Sequence, residues 1–222
     1  MADVNRGHLV ARFLVDGEDM SAGDLGAFSE VRVRLPDNGP ARFEATFLAT
    51  NPNWEIIGAL GSGQKIEVAL GYTAEPPVIF TGEVTAVRCR AQQSSVLNLV
   101  LEGADRLHRL GRGVHQRLHV DVTDKDIALK CLNEAGLKPA EVADPGVIYT
   151  SVAQFNQTNL ELLMDRARRL GYCLWADGED THFGPRGEGS GPKTLKVGSD
   201  ISQSSDSSRN TTPMSPEASG SA

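Results

Sequence analysis

The chain has 222 residues, 40% of them hydrophobic and 23% charged, a composition that supports one large core or two modest ones. Its 29 acidic residues outnumber 22 basic ones, and the net charge of -7 argues against a general binder of nucleic acid or of anionic membranes. The opening MADVNRGHLVARFLVDGEDM is broken by Arg12 and Asp16 before reaching the length of a secretory signal, and no apolar run is long enough to span a bilayer, so the chain is expected to stay where it is made unless it leaves within a larger assembly.

The first half alternates. EVRVRLPDNGPARFEATFLAT puts Val31, Val33 and Leu35 on one face, a turn at Pro36, Asn38 and Gly39, and then Phe43, Ala45 and Phe47 on a matching face, which predicts a hairpin. NPNWEIIGALGSG interrupts the strands with a short helical or irregular excursion carrying Trp54. QKIEVALGY then repeats the alternation with Ile66, Val68 and Leu70, and SSVLNLVLEG does so with Leu97, Leu99 and Leu101. Between those two, PVIFTGEVTAVRCR changes apolar parity from Val84 to Val87, which predicts a strand bent by a bulge near Gly82. About six strands separated by turn residues indicate a sandwich or barrel.

After Gly103 the texture changes. ADRLHRLGRGVHQRLH, with Arg106, Arg109, Arg112 and Arg117 against Asp105, reads as a basic connector. VTDKDIALKCLNEAGL predicts a helix with Thr123 as N-cap, Asp126 at its third position, a buried stripe of Ile127, Cys131, Leu132 and Ala135, and Gly136 as its stop. KPAEVADPGV reads as a loop. In QFNQTNLELLMDRARRLGYCLWADGEDTHFGP, Thr158 and Glu161 form a capping box, while Leu160, Leu163, Met164, Ala167 and Leu170 recur at helical spacing. Arg166, Arg168 and Arg169 crowd the C-terminal half, Gly171 ends the helix, and a hairpin turns at Asp177 and Gly178 with Tyr172, Leu174 and Phe183 available to pack. From Gly184 onward Gly, Ser, Pro and Thr dominate, with Leu195, Val197 and Ile201 as the substantial aliphatics, the composition of a linker or disordered end.

Four constellations carry groups able to do chemistry. His115, His119 and Asp121 have metal-binding side chains, but on a strand positions four apart lie roughly 13 Å from each other, too far for one ion. Glu161 and Asp165 are carboxylates one turn apart, explained by capping and by an exposed helix face beside Arg168 and Arg169. GSGQK, from Gly61 to Lys65, lacks the full phosphate-loop pattern and leads into a strand, so it reads as a plain turn. The basic stretch DRLHRLGRGVHQRLH reads as a hydrated connector or, secondarily, as a contact for phosphate or an acidic partner. Cys89, Cys131 and Cys173 show no CxxC pairing and read as small buried hydrophobes. No nucleophile elbow, zinc-protease helix or dinucleotide fingerprint occurs, and no catalytic, cofactor-binding or metal-ligating residue is assigned.

The order of VIFTGEVTAV, LEGADRLHRL, VTDKDIALKCLNEAGL and the QFNQTN stretch resembles the hub proteins of contractile injection systems: phage late control protein D, the N-terminal hub region of VgrG spikes, and spike proteins of extracellular injection particles. The most specific piece resembles Q-x-N-x-T-D/N-x-x-F/L-L-x-x-L/R-A-x-x-x-G-Y, matched by Gln154, Asn156, Thr158, Asn159, Leu163, Ala167, Gly171 and Tyr172. The resemblance implies a β-rich α+β fold: a tail-tube-like β-barrel domain over 1–104, a small α/β domain of two helices and a hairpin over 105–186, and a Gly/Ser/Pro-rich tail over 187–222. It further implies a structural baseplate hub, not an enzyme, with no cofactor or metal. Such a hub is a homotrimer that adapts a hexameric tail tube to a trimeric spike, assembled in the cytoplasm, with tube and spike proteins as partners and no sequence-specific nucleic acid. Family members resume with a second barrel after the hairpin; here KTLKVGSDISQ begins that way and gives way to SSDSSRNTTPMSPEASGSA, so the second barrel is expected to be missing, through truncation, a frameshift or supply by a separate chain. Two other readings stand beside it: a stand-alone binding module using Trp54 or Trp175 for a carbohydrate or protein, and a tail-associated cell-wall hydrolase depending on His115 or Glu161.

Overall fold

Seven strands of the N-terminal half form one antiparallel sheet: β1 (Val10–Val15), β2 (Glu18–Asp19), β3 (Ala27–Arg34), β4 (Arg42–Ala49), β5 (Lys65–Gly71), β6 (Val78–Ala91) and β7 (Leu97–Ala104), in the order β2-β1-β5-β6-β7-β4-β3. The computed structural model describes residues 10–20, 25, 27–50, 53–91 and 96–186. The chain divides at Arg186, and the tail, with Leu195, Val197 and Ile201, lies outside the described residues.

Alternation builds the sheet as expected. Phe43, Ala45, Phe47 and Ala49 of β4 are buried, and the residues between them are not. Strands β1 and β4 stand four places apart, which in a flat sheet is roughly 19 Å. Yet the rings of Phe13 and Phe47 meet edge to face with centroids 5.1 Å apart, so the sheet curls over its own core. Among the described residues no pairing joins β2 to β3, and the expected barrel is a curled sheet that does not close. Helix α1 (Trp54–Ala59), capped by Asn53, is the excursion between β4 and β5; it buries Ile57 and leaves Trp54 62% exposed.

Several parity expectations are displaced by irregular pairing. The bulge in β6 against β7 lies between Val84 and Ala86, beyond Gly82, and a second, between Val68 and Ala69, turns Ala69 inward in place of Leu70. Leu35 lies past the end of β3 and is exposed, having left the alternation. Residues 10–19 form a β-hairpin around Asp16 and Gly17 that the opening stretch did not predict, with Phe13 and Val15 buried.

The remainder comprises a 3-10 helix (Arg106–Gly111), β8 (His115–Val122), α2 (Asp124–Glu134), β9 (Lys138–Val142), β10 (Tyr149–Gln157), α3 (Asn159–Leu170), β11 (Cys173–Asp177) and β12 (Asp180–Gly184). Strands β8 and β10 make a two-stranded ribbon, and β11, β12 and β9 make a three-stranded sheet. Both helices start with the predicted capping boxes, and α3 stops at Gly171 with φ 68°, the left-handed conformation glycine adopts without strain. KPAEV is a strand, not a loop: β12 offers it a parallel partner, and Pro139 is tolerated because β9 is an edge. A second core gathers Leu107, Leu110, Ile127, Cys131, Leu132, Leu162, Leu163, Leu174 and Phe183. The β3–β4 turn is tied to β11, for Asn38 Oδ1 accepts from Leu174 N and Gly39 N donates to Leu174 O, both at 2.9 Å.

Candidate interaction surface

Several of the groups able to do chemistry hold the fold together. The basic stretch is not a hydrated connector but the 3-10 helix, with Leu107 and Leu110 buried and its cations turned onto one carboxylate. That carboxylate is Glu83, in β6 and 3% exposed. Arg109 Nε donates to it at 3.2 Å and a second Arg109 nitrogen bonds it more closely; Arg106 and His108 stand at 3.8 and 3.7 Å. A carboxylate so enclosed is stable only because the cations face it. Glu83 belongs to TGEV, a stretch whose role sequence reasoning missed because its partners lie in LEGADRLHRL.

The glycines of those two stretches are dictated by close approach. A Cβ on Gly82 would stand 2.4 Å from Ala104 O, and one on Gly103 would stand 2.1 Å from a Phe43 ring carbon. Just after Gly103 the chain caps the 3-10 helix with Asp105, whose carboxylate accepts from Ala41 N at 2.8 Å and Leu107 N at 3.0 Å. Burial pushes the Asp105 carboxyl up to about 6, against the pull of those two bonds.

The QFNQTN stretch has the same character. Gln154 accepts from Arg117 Nε at 2.7 Å and donates to Asn159 Oδ1 at 3.1 Å; Arg117 also donates to Asn159 at 2.7 Å and to Glu134 at 2.7 and 2.8 Å. Asn156, with φ 50°, takes the left-handed turn that ends the regular pairing of β10, and Thr158 caps α3. Arg166, one of the three arginines of the C-terminal half of α3, is buried: it bonds Asp124 and lies over the Tyr149 ring at 4.3 Å.

The other candidates are not brought together. His115 and His119 share the inner face of β8 while Asp121 is exposed with φ 50°, and among the described residues no group of three or more metal-ligating side chains occurs. Glu161 is held by Thr158 N at 2.8 Å, and Asp165 accepts from Arg168 at 2.9 Å. Gly61 to Lys65 is a turn, closed by a bond from Gly61 N to Gln64 Oε1 at 2.7 Å. Cys131 is buried as expected and Cys173 partly so, but Cys89 is exposed on β6.

What remains available is surface. The ribbon turns Arg117, His119, Val152 and Gln154 inward and sends Gln116, Leu118, Val120, Ser151, Ala153 and Phe155 outward. This outer face has no charge, and Leu118, Val120 and Phe155 are 60, 55 and 74% exposed. Apolar side chains clustered on an uncharged ribbon mark a contact surface. Among the described residues no helix is long and apolar enough to cross a membrane.

The fold is shared with tail proteins. The chain is similar to the 43 kDa tail protein of prophage MuSo2 from Shewanella oneidensis, with TM-score 0.62 and 17% identity over 79% of this chain and 53% of that one. It is similar also to a tail protein from Neisseria meningitidis, with TM-score 0.54 and 15% identity over 79% and 50%, and to a chain of the Francisella PdpA-VgrG complex, with TM-score 0.52 and 10% identity over 81% and 29%. The chain thus spans about half the length, or less, of these structures. No curated protein matches it. A profile of the Alg8 N-terminal domain matches residues 57–211, beginning inside α1 and continuing past β12. With that profile covering more than half of its length, the chain belongs to the Alg8 N-terminal domain family.

Proposed function

We propose that the chain is a structural component of a phage tail or contractile injection particle, built into its baseplate hub between the tail tube and the spike. The likeness of fold to tail proteins over 79% of the chain carries this reading. It is supported by the roles of Glu161, Arg109 and Arg117, which cap a helix, neutralise buried charge and bridge strands. A part whose task is to hold position requires such groups and requires no turnover, so no enzymatic activity is assigned.

In this reading three copies surround the particle axis, residues 1–104, which include the curled sheet of β1 to β7, are the tube-like domain, and 105–186 is the smaller α/β domain. The separate hydrophobic clusters support that division. The ribbon's outer face is then buried on assembly, and assembly takes place in the cytoplasm. The test is molar mass by light scattering, with the chain alone and co-expressed with the tube and spike proteins encoded beside it. A trimer, or a stable complex with either protein, is expected. A monomer that co-purifies with neither overturns the reading.

A further inference from the structure

The outer face of the curled sheet carries a lattice of opposite charges. Arg88 pairs with Glu102 at 2.7 Å, and Arg32 lies 2.7 Å from Glu30 and 3.8 Å from Glu44. At one end the lattice is unbalanced. Arg34 of β3 and Arg42 of β4 are direct cross-strand neighbours, both exposed, and neither side chain has a hydrogen bond or ion pair with a described residue. Like charges placed directly opposite oppose strand pairing, and in a chain of net charge -7 two spare arginines side by side are not a consequence of composition. They open onto a cleft of about 460 Å³, also lined by Arg32, His108, Glu44 and Glu102 and floored by Phe43.

We propose that this cleft binds an acidic peptide segment of a partner protein, with Arg34 and Arg42 receiving its carboxylates. A guanidinium pair suits carboxylates, which it can hold through paired hydrogen bonds. Glu44 and Glu102 in the same cleft decide against nucleic acid: they repel a ligand charged at every step, whereas a peptide lays neutral amides along them. The inference rests on charge and register, independently of the assembly reading.

Titration calorimetry of the full chain at low salt tests it, with a synthetic peptide of alternating glutamate and glycine as probe and a short thymidine oligonucleotide and inorganic phosphate as comparisons. The peptide is expected to bind, more weakly as salt is added. Arg34→Glu is expected to weaken binding about tenfold or more. The same variant is expected to raise the thermal midpoint, because it converts a repulsive cross-strand pair into an attractive one. Arg168→Glu, an equal change of charge on α3, is expected to leave the affinity unchanged. Absence of peptide binding, equal loss in both variants, unchanged affinity in Arg34→Glu, or preference for the oligonucleotide or phosphate overturns the proposal.

Discussion

Asp105 joins the two cores, since its carboxylate holds Ala41 at the start of β4 and Leu107 in the 3-10 helix. With its folded value raised to about 6 from 3.8, the native chain holds a proton that the unfolded chain has released across that interval. The stability it contributes is therefore full below the unfolded value and is lost as pH rises through about 6. His119, lowered chiefly by burial, acts oppositely, losing its contribution as pH falls below the ordinary histidine range, so the two groups oppose each other near pH 6. Comparing Asp105→Asn with the parent isolates one of them. The variant loses an acceptor and should be about 1 kcal/mol weaker at pH 7, and the parent should gain on it as pH falls from 7 to 5. Urea midpoints at the two pH values check this. The buried Arg166–Asp124 pair obeys a harsher rule: Asp124→Asn leaves a guanidinium buried with the Tyr149 ring but no counter-charge, and should cost about 3 kcal/mol in chemical denaturation.

At the scale of elements, the ribbon is the most informative part. Two strands alone are marginal in water, so β8 and β10 rely on their inner face, where Arg117 and Gln154 bridge the pair and reach the start of α3 and the end of α2. Arg117→Met should cost about 2 kcal/mol by stranding the polar ends of Gln154 and Asn159, read as a lowered denaturant midpoint. The outer face answers to a different measurement. Phe155→Glu combined with Leu118→Glu should leave the stability of the isolated chain within about 0.5 kcal/mol, because both side chains are already solvated, yet abolish the proposed assembly when tested by light scattering. If the double variant assembles like the parent, the ribbon is not the contact surface.

At the scale of the whole sheet, the junction of β6 and β7 decides whether it can curl over its core. Gly103 lets Phe43 lie against the β7 backbone, and the Phe43 and Phe80 rings then approach to 5.1 Å. Gly103→Ala should cost about 3 kcal/mol or more, since the new carbon meets both a ring and Glu83 O at 2.6 Å, and backbone cannot retreat as a side chain can. Loss of soluble protein or a collapsed thermal midpoint is the expected result. Because Glu83 follows Gly82 and the 3-10 helix follows Gly103, the same distortion would carry the arginines away from Glu83. The approach of backbones and the pairing of buried charge are one construction.

Local signals are strongest where neighbouring residues decide the outcome. The capping boxes at Thr123 and Thr158, the left-handed stop at Gly171, the turn at Gly178 and the inward row of β4 could all be read from the chain, because each depends on side chains within a few positions. The sequence by itself thus determined a β-rich first half, two capped helices and a hairpin. Tertiary structure decided the rest. That KPAEV becomes a strand depends on β12, about forty residues further on. That Arg166 is core depends on Asp124, and that a basic stretch is internal depends on Glu83. That Arg34 and Arg42 stand side by side, without a side-chain partner among the described residues, depends on the register of a hairpin. Such pairings join residues distant in the chain, and no local pattern encodes which charge will meet which.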